Sequence, residues 1–347
     1  MKIKTVAYKG SKRKLLQNIE MLAQSVAAKT VFDGFSGTGI VSAHLRSKGY
    51  QVMANDLSAS SYLYGKVFLE GYNKSVVENA VTHLNNLAGV RGWLTKNYSG
   101  EKIRLIRGTG GQKESRPLGF TPENAMMIDA ARQWVEEAPF GDERDRRAVV
   151  FSIVLAADRV FNNSNDQKSS FKMWTTAALK KIKFEAPTLI KGPTGTQLQG
   201  DILNTKLIAD LVYLDPPYTH GVLYPACYHL NDSIAMWDKP SLDYSYAIPR
   251  PERVCFRKRG ETAGGFYGKG TAVDSFRKLL NNCEAKMVVL SYSDAPRNVL
   301  SFEQLMDVCG EFGETSVLTK EHAICTQFSS MNKISDSLKE FFIKIKM

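Results

Sequence analysis

Apolar and polar positions follow two different rhythms along the chain. The basic segment at residues 8–14 opens a first helix, which continues through Leu15, Leu16, Ile19 and Leu22 at helical spacing. Thr30, Val31 and Phe32 form a short β-rich run that reaches Asp33 and a glycine-rich turn, then a helix over residues 40–48. A second strand, residues 51–54, ends in Asn55-Asp56-Leu57, and a helix from Ser58 to about residue 72 carries Tyr62, Tyr64 and Phe68. Such an aromatic set reads as core packing rather than a binding platform. Strand, helix, strand, helix is the pattern of a sheet covered by helices.

From about residue 85 to residue 195 that rhythm is lost. Residues 91–120 are glycine-rich and basic, with Trp93 and Tyr98 and little periodicity, and read as an irregular insertion. Thr121-Pro122 predicts an N-cap with proline at the first helical position. The helix behind it runs to about residue 137, and a second helix runs from residue 143 to about 161. The polar run at residues 162–170 ends the pattern in a loop. Strand character returns at residues 197–202 and in Leu211 to Leu214, four apolar residues that suit a buried parallel strand. A helix at 273–280, a strand at 286–291 and a closing pair at 315–318 and 341–345 complete the order.

The strand 211–214 stops in Asp215-Pro216-Pro217-Tyr218. Neither proline can donate to a ladder, so the carboxylate, the carbonyls and the ring stand at a carboxyl strand end, where open α/β sheets bind ligands. An acceptor pair beside a flat ring suits a planar base bearing an amino group. The Asp215 side chain and the Pro216 carbonyl can accept from both N–H groups, and Tyr218 can stack. The plainer reading is a strand ending in a turn with an aromatic plug. Upstream, Asp33-Gly34-Phe35-Ser36-Gly37-Thr38-Gly39 lets backbone approach a ligand closely, and Asp56 at the tip of the second strand can accept both ribose hydroxyls. The plainer reading of Asp56 is a helix cap. Neither the dinucleotide nor the triphosphate glycine pattern occurs.

These segments occur in a recognisable order: Tyr8-Lys9-Gly10-Ser11-Lys12-Arg13-Lys14, the 33–39 turn, Asn55-Asp56, Gly200-Asp201 and Asp215-Pro216-Pro217-Tyr218. In that order the chain resembles, over nearly its whole length, the Dam-type (alpha-class) adenine-specific DNA methyltransferases associated with restriction–modification. Phe120-Thr121-Pro122-Glu123-Asn124 and Tyr228-His229 are similar to the same family. The resemblance implies an α/β fold, the Rossmann-like sheet of S-adenosylmethionine-dependent methyltransferases, with a mainly helical target-recognition domain inserted. Residues 1–85 and 196–347 would be catalytic, and 86–195 the insert. It implies S-adenosyl-L-methionine as cofactor, contacted by Tyr8, Lys9, Gly10, Asp33, Phe35, Ser36, Gly37, Thr38, Gly39, Asp56, Leu57, Asp201, Ile202 and Asp215. The catalytic residues would be Asp215, Pro216, Pro217 and Tyr218. The activity implied is site-specific, adenine-specific N6 methylation of a flipped base in duplex DNA. RNA or cytosine-N4 amino-methylation, and a non-catalytic DNA-binding relative, are the alternatives; the aspartate rather than serine in the tetrapeptide and the large insert favour adenine in DNA.

Charge adds a partner. Lys+Arg 46 against Asp+Glu 35 gives a net charge of +11 and a pI near 9.3, as polyanion-binding proteins often have. The Arg- and Lys-rich run at 249–270, with Arg253, Arg257, Lys258 and Arg259, is expected to grip phosphates of double-stranded DNA, and Asn163, Asn165, Gln167 and Lys168 to reach bases. Lys12 and Arg13 read as a solvated basic face. His229 reads as structural or substrate-contacting rather than as a base. A restriction endonuclease acting on the same site would be the cognate partner. The five scattered cysteines form no metal or disulfide pattern, and no long apolar run or signal core occurs, so a cytoplasmic protein without metal or membrane is expected.

Overall fold

The computed structural model describes residues 2–100, 103–104, 115–163, 166–217, 224–255, 265–266, 268, 270–293, 298–323 and 337–347. The chain forms two compact units. One comprises Lys12–Leu57, Gly192–Leu223 and Arg257–Met347; the other Met1–Ser11, Ser58–Lys191 and Tyr224–Phe256.

The first unit is built on a mixed sheet of seven strands among the described residues. In chain order these are β1 Thr30–Asp33, β2 Gln51–Asp56, β3 Thr196–Gln199, β4 Leu211–Leu214, β5 Met287–Ser293, β6 Glu314–Ala323 and β7 Ser337–Lys346. Their spatial order is β6-β7-β5-β4-β1-β2-β3, with β7 antiparallel to both its neighbours and the pairs from β5 to β3 all parallel. This is the α/β class expected. All four residues of β4 are buried, as their uninterrupted apolar run requires of a central parallel strand. Phe32, Val212, Leu214, Val288, Leu290 and Ile343 share a core with Phe276, Leu279 and Leu280, spaced three and four apart on helix Ala272–Asn281. Helix Phe302–Gly310, closed by a capping box between Ser301 and Gln304, adds Leu305 and Val308 to that core. Gly34 lets the chain leave β1 tightly: its N–H donates to the Tyr213 carbonyl at 2.9 Å, and a Cβ there would stand 2.7 Å from Leu214.

The second unit is mainly helical. Helix Glu143–Val160 is buried along most of its length and is flanked by helices Ala59–Glu70, Lys74–Asn85, Pro122–Glu137 and His229–Met236. Thr121 caps Pro122–Glu137 as its sequence predicts, with proline in the first turn. Tyr64 stacks on Phe151 at 4.6 Å and Phe68 meets the same ring edge-on at 5.3 Å, so those two aromatics are core packing. That packing draws residues 58–85 into the helical unit, where the sequence pattern had grouped them with the strands. The helix Lys74–Asn85 was not legible as a separate element; Asn73 caps it, and its own N–H donates to Asp145 at 2.6 Å.

Candidate active site

The carboxyl ends of four adjacent strands each finish in or beside an acid: Asp33 on β1, Asp56 on β2, Asp201 after β3 and Asp215 after β4. The register puts Asp33 beside Ala54 and Tyr213, and Asp56 beside Gln199. Between β1 and β4 the direction of winding reverses, the place where open α/β sheets bind ligands.

The glycine turn is wired to its neighbours. Gly37 and Gly39 have φ of 50° and 71°, a region that favours glycine. The Gly37 N–H donates to Asp56 Oδ2 at 2.8 Å, and the Ser36 N–H to the Asn55 carbonyl at 3.0 Å. Ser36 is buried, with its hydroxyl 3.3 Å from Gln197 Nε2, and Thr38 is buried too. Phe35 meets Phe266 edge-on at 5.7 Å. Leu57 is exposed. The helix-cap reading of Asp56 is overturned: Ser58 caps Ala59–Glu70, and Asp56 turns to the glycine loop. Asp201 does cap, accepting from the Leu203 N–H at 3.0 Å, and Ile202 beside it is buried.

Asp33 is 1% exposed and accepts from the Ser42 hydroxyl at 2.6 Å. Burial, opposed by that bond and reinforced by the nearby charges of Asp215 and Asp56, pushes its carboxyl up to about 7. Asp215 accepts an ion pair from Lys12 Nζ at 2.9 Å. Its carboxyl is pushed up to about 6, chiefly by burial, with Lys12 pulling it down and Glu340 raising it. Pro216 is buried and Pro217 half-buried, while Tyr218 lies outside the described residues.

Lys12 corrects the sequence reading. Its side chain is 6% exposed and pairs with both Asp215 and Glu340, so it is no part of a solvated face. Arg13 and Lys14 are exposed. The signal was present: Lys12 is on the same helical spacing as Leu15, Ile19 and Leu22, the buried stripe. Glu340, also missed, is buried and shares a face of β7 with buried Phe342.

In the helical unit, Tyr8 stacks on Tyr228 at 4.3 Å, and the Lys9 N–H donates to the Tyr228 hydroxyl at 2.7 Å. Lys9 also ion-pairs with Asp166, and Gly10 adopts φ of 75°. His229 is fully buried, with Nε2 3.2 Å from the Gln167 carbonyl, a structural setting. Gln167 departs from its expected place on a base-reading surface. It is 2% exposed, donates to Asn231 at 2.7 Å, and accepts from the N–H groups of Leu230 and Asn231. An amide so satisfied braces helix His229–Met236 from within. Asn163 is half-buried, and Lys168, also half-buried, lies 3.9 Å from Asp166. Asn165, Arg257, Lys258 and Arg259, and the side chain of Arg253, lie outside what is described.

Among the described residues no group of histidine, cysteine and acidic side chains could hold a metal, and no helix is long and apolar enough to cross a membrane. Curated relatives align along most of the chain. The type II methyltransferase M.NlaIII of Neisseria lactamica is 27% identical over 328 residues, covering 91% of each chain. The type II methyltransferase M.CviAII of Paramecium bursaria Chlorella virus 1 is 26% identical over 330 residues, again with 91% of each covered. The modification methylase LlaI of Lactococcus lactis subsp. lactis is 26% identical over 361 residues, and the chain spans about half of it (54%). The model of the D12 class N6 adenine-specific DNA methyltransferases matches residues 8–244, more than half of the chain, and this protein therefore belongs to that family.

Proposed function

We propose that this DNA adenine N6-methyltransferase acts at a specific duplex sequence, with Asp215 and Pro216 as the acceptors that hold the target amino group. The observation that carries this reading is Asp215 itself: a carboxylate after buried β4, at the reversal point of the sheet, with Lys12 Nζ at 2.9 Å. The methyl donor is S-adenosylmethionine, and the residues at the strand ends suit it. Gly37 and Gly39 bring backbone close without side chains, and Asp56 offers an acceptor for ribose hydroxyls. Asp201 offers one for an adenine amine, and nothing stands within 4 Å of where a Gly200 Cβ would be, which leaves room beside it for a planar ring. Phe35 and Ile202 supply apolar surface, and Leu57 is exposed at the tip.

When bound, the donor presents an electrophilic methyl on a positive sulfur. The chain's part is to make a poor nucleophile good. The lone pair of an adenine amine is delocalised into its ring. Acceptance of one N–H by Asp215 and the other by the Pro216 carbonyl favours a pyramidal nitrogen. Asp215, with its carboxyl at about 6, is ionised at neutral pH and can take the proton that the nitrogen loses. Tyr218 stacks on the base, and stacking offsets the few kcal/mol of extruding it from the duplex. Positioning and electrostatics then supply the catalysis.

The segment 86–195 contributes to target recognition in this reading, the basic run at 249–270 grips phosphates, and Tyr8, Lys9 and Gly10 belong to donor binding. The likeness to type II methyltransferases supports pairing with a restriction endonuclease of the same site. The test is Asp215→Ala expressed in a methylation-free host, with modified bases called by sequencing. Transfer should fall by about 100-fold or more while DNA affinity stays; near-normal turnover would return Asp215 to a structural role.

A further inference from the structure

Lys12 and Glu340 form a buried charge cluster with Asp215 at the carboxyl end of β4. Lys12 Nζ lies 2.9 Å from Asp215 Oδ1 and 3.0 Å from Glu340 Oε1, with the three side chains 6%, 20% and 3% exposed. Glu340 also accepts from the Ser291 hydroxyl on neighbouring β5. Two carboxylates thus share one ammonium. Buried ion pairs of this kind are often replaceable by apolar residues with no loss of stability. The rest of β7 offers such residues freely, in Phe342, Ile343 and Ile345. Stability alone therefore gives no reason for an acid at position 340.

We propose that Lys12 and Glu340 are positioning residues for methyl transfer: Glu340 holds the Lys12 ammonium, and Lys12 fixes Asp215 through Oδ1, leaving Oδ2 as the acceptor for the adenine amine. This rests on the reading of Asp215 as that acceptor. Each layer has its support in the fold. Lys12 begins the short helix Lys12–Leu15, Glu340 comes from the antiparallel strand β7, and Ser291 ties that strand's acid to β5. The geometry makes a chain from the antiparallel strand β7 to the strand end at Asp215.

The arrangement has a signature that mere structural support lacks. The charged and titratable groups facing Asp215 are Lys12, Glu340, Tyr213 on β4 and Asp33 on β1. Lys12 lowers the Asp215 carboxyl and Glu340 raises it. Taking up the proton that the amine nitrogen loses needs the ionised form, which is also the stronger acceptor, so the rate is lost as pH falls through that value, which gives an acid limb. Removing the two neighbours should move the limb in opposite directions.

The experiment is single-turnover methylation of unmethylated genomic DNA by the full chain from about pH 5 to about pH 9. Lys12→Met should move the acid limb up by about one to three pH units, the effect of losing an opposite charge at contact distance. Glu340→Gln should move it down, by less because Lys12 stands between. Both should keep S-adenosylmethionine affinity by calorimetry. Asp215→Asn serves as the control for the underlying reading, and is expected to lose turnover across the whole range. If Asp215→Asn is inactive while both neighbours leave the limb in place, or slow the reaction equally at every pH, the positioning role is wrong and the acceptor reading stands. If Asp215→Asn keeps near-native turnover, the acceptor reading itself fails. Should Lys12→Met not fold, Glu340→Gln is isosteric and its downward shift decides alone.

Discussion

The Asp33 carboxyl makes the fold pay for its own site, and Asp33→Asn should expose the amount. Asp33 is almost fully buried at the end of β1, accepts from Ser42 at 2.6 Å, and is pushed up from 3.8 to about 7 by burial and by Asp215 and Asp56. Between those two values the folded chain binds the proton that the unfolded chain has released, so native stability falls as pH rises through that window. Roughly three units at 1.36 kcal/mol each give about 4 kcal/mol of lost stability above about pH 7. The same arithmetic leaves about 1.5–2 kcal/mol at about pH 5 and nothing below about pH 4. An asparagine amide oxygen can accept the Ser42 bond and never ionises. Urea denaturation of both proteins at about pH 5 and about pH 8 should show the variant's advantage growing by about 2–3 kcal/mol between them, whatever fixed packing change the substitution brings. Donor affinity should fall in the same variant. An effect equal at both pH values, or a relative loss at the higher one, would refute the reasoning.

With Asp56 as the proposed acceptor for the ribose hydroxyls, Asp56→Ala should weaken S-adenosylmethionine binding by about 1–3 kcal/mol, or about 5- to 150-fold in Kd, and the Gly37 N–H loses its brace as well. Calorimetry checks this, and since Ser58 supplies the helix cap, unfolding should shift little. Gln167→Ala should lower stability by about 1–3 kcal/mol, by stranding Asn231 and the N–H groups of Leu230 and Asn231, while the methylated sequence stays the same. Denaturation together with sequencing of modified bases would separate these outcomes.

Much of the strand-end geometry was legible because each acid sits where a single strand ends. Leu211 to Leu214 reads as buried from composition alone, and the acid and prolines behind it fix the boundary. The place of Asp56 at a strand tip was legible for a similar reason, although its loop partner could come only from the fold. What stayed hidden depends on contacts between distant segments. Lys12 reaches an acid more than three hundred residues away, and a run of basic residues gives no local sign of which one turns inward, except for its helical phase. Gln167 looked like its polar neighbours until helix His229–Met236 was packed against it. The grouping of residues 58–85 failed on the same ground: alternation of strand and helix says nothing about which core a helix joins, and Phe151 decides that for Tyr64 and Phe68.

The four acids at the strand ends have a consequence for what can enter. A chain of net charge +11 attracts a polyanion over its surface generally, yet the ends of four neighbouring strands carry Asp33, Asp56, Asp201 and Asp215, with the buried cation Lys12 paired to Asp215 and Glu340. The local field there repels phosphate and favours a cation. A neutral base can enter such a field while its own phosphates are held back, so the nucleotide is sorted into two parts by charge as well as by shape. The same field distinguishes the donor from what it becomes. With the donor bound at these strand ends as proposed, its sulfonium carries a positive charge that the acids attract, and the thioether product does not, so transfer of the methyl group should weaken the hold on the spent molecule. On that reading turnover has a direction built into the electrostatics of four strand ends.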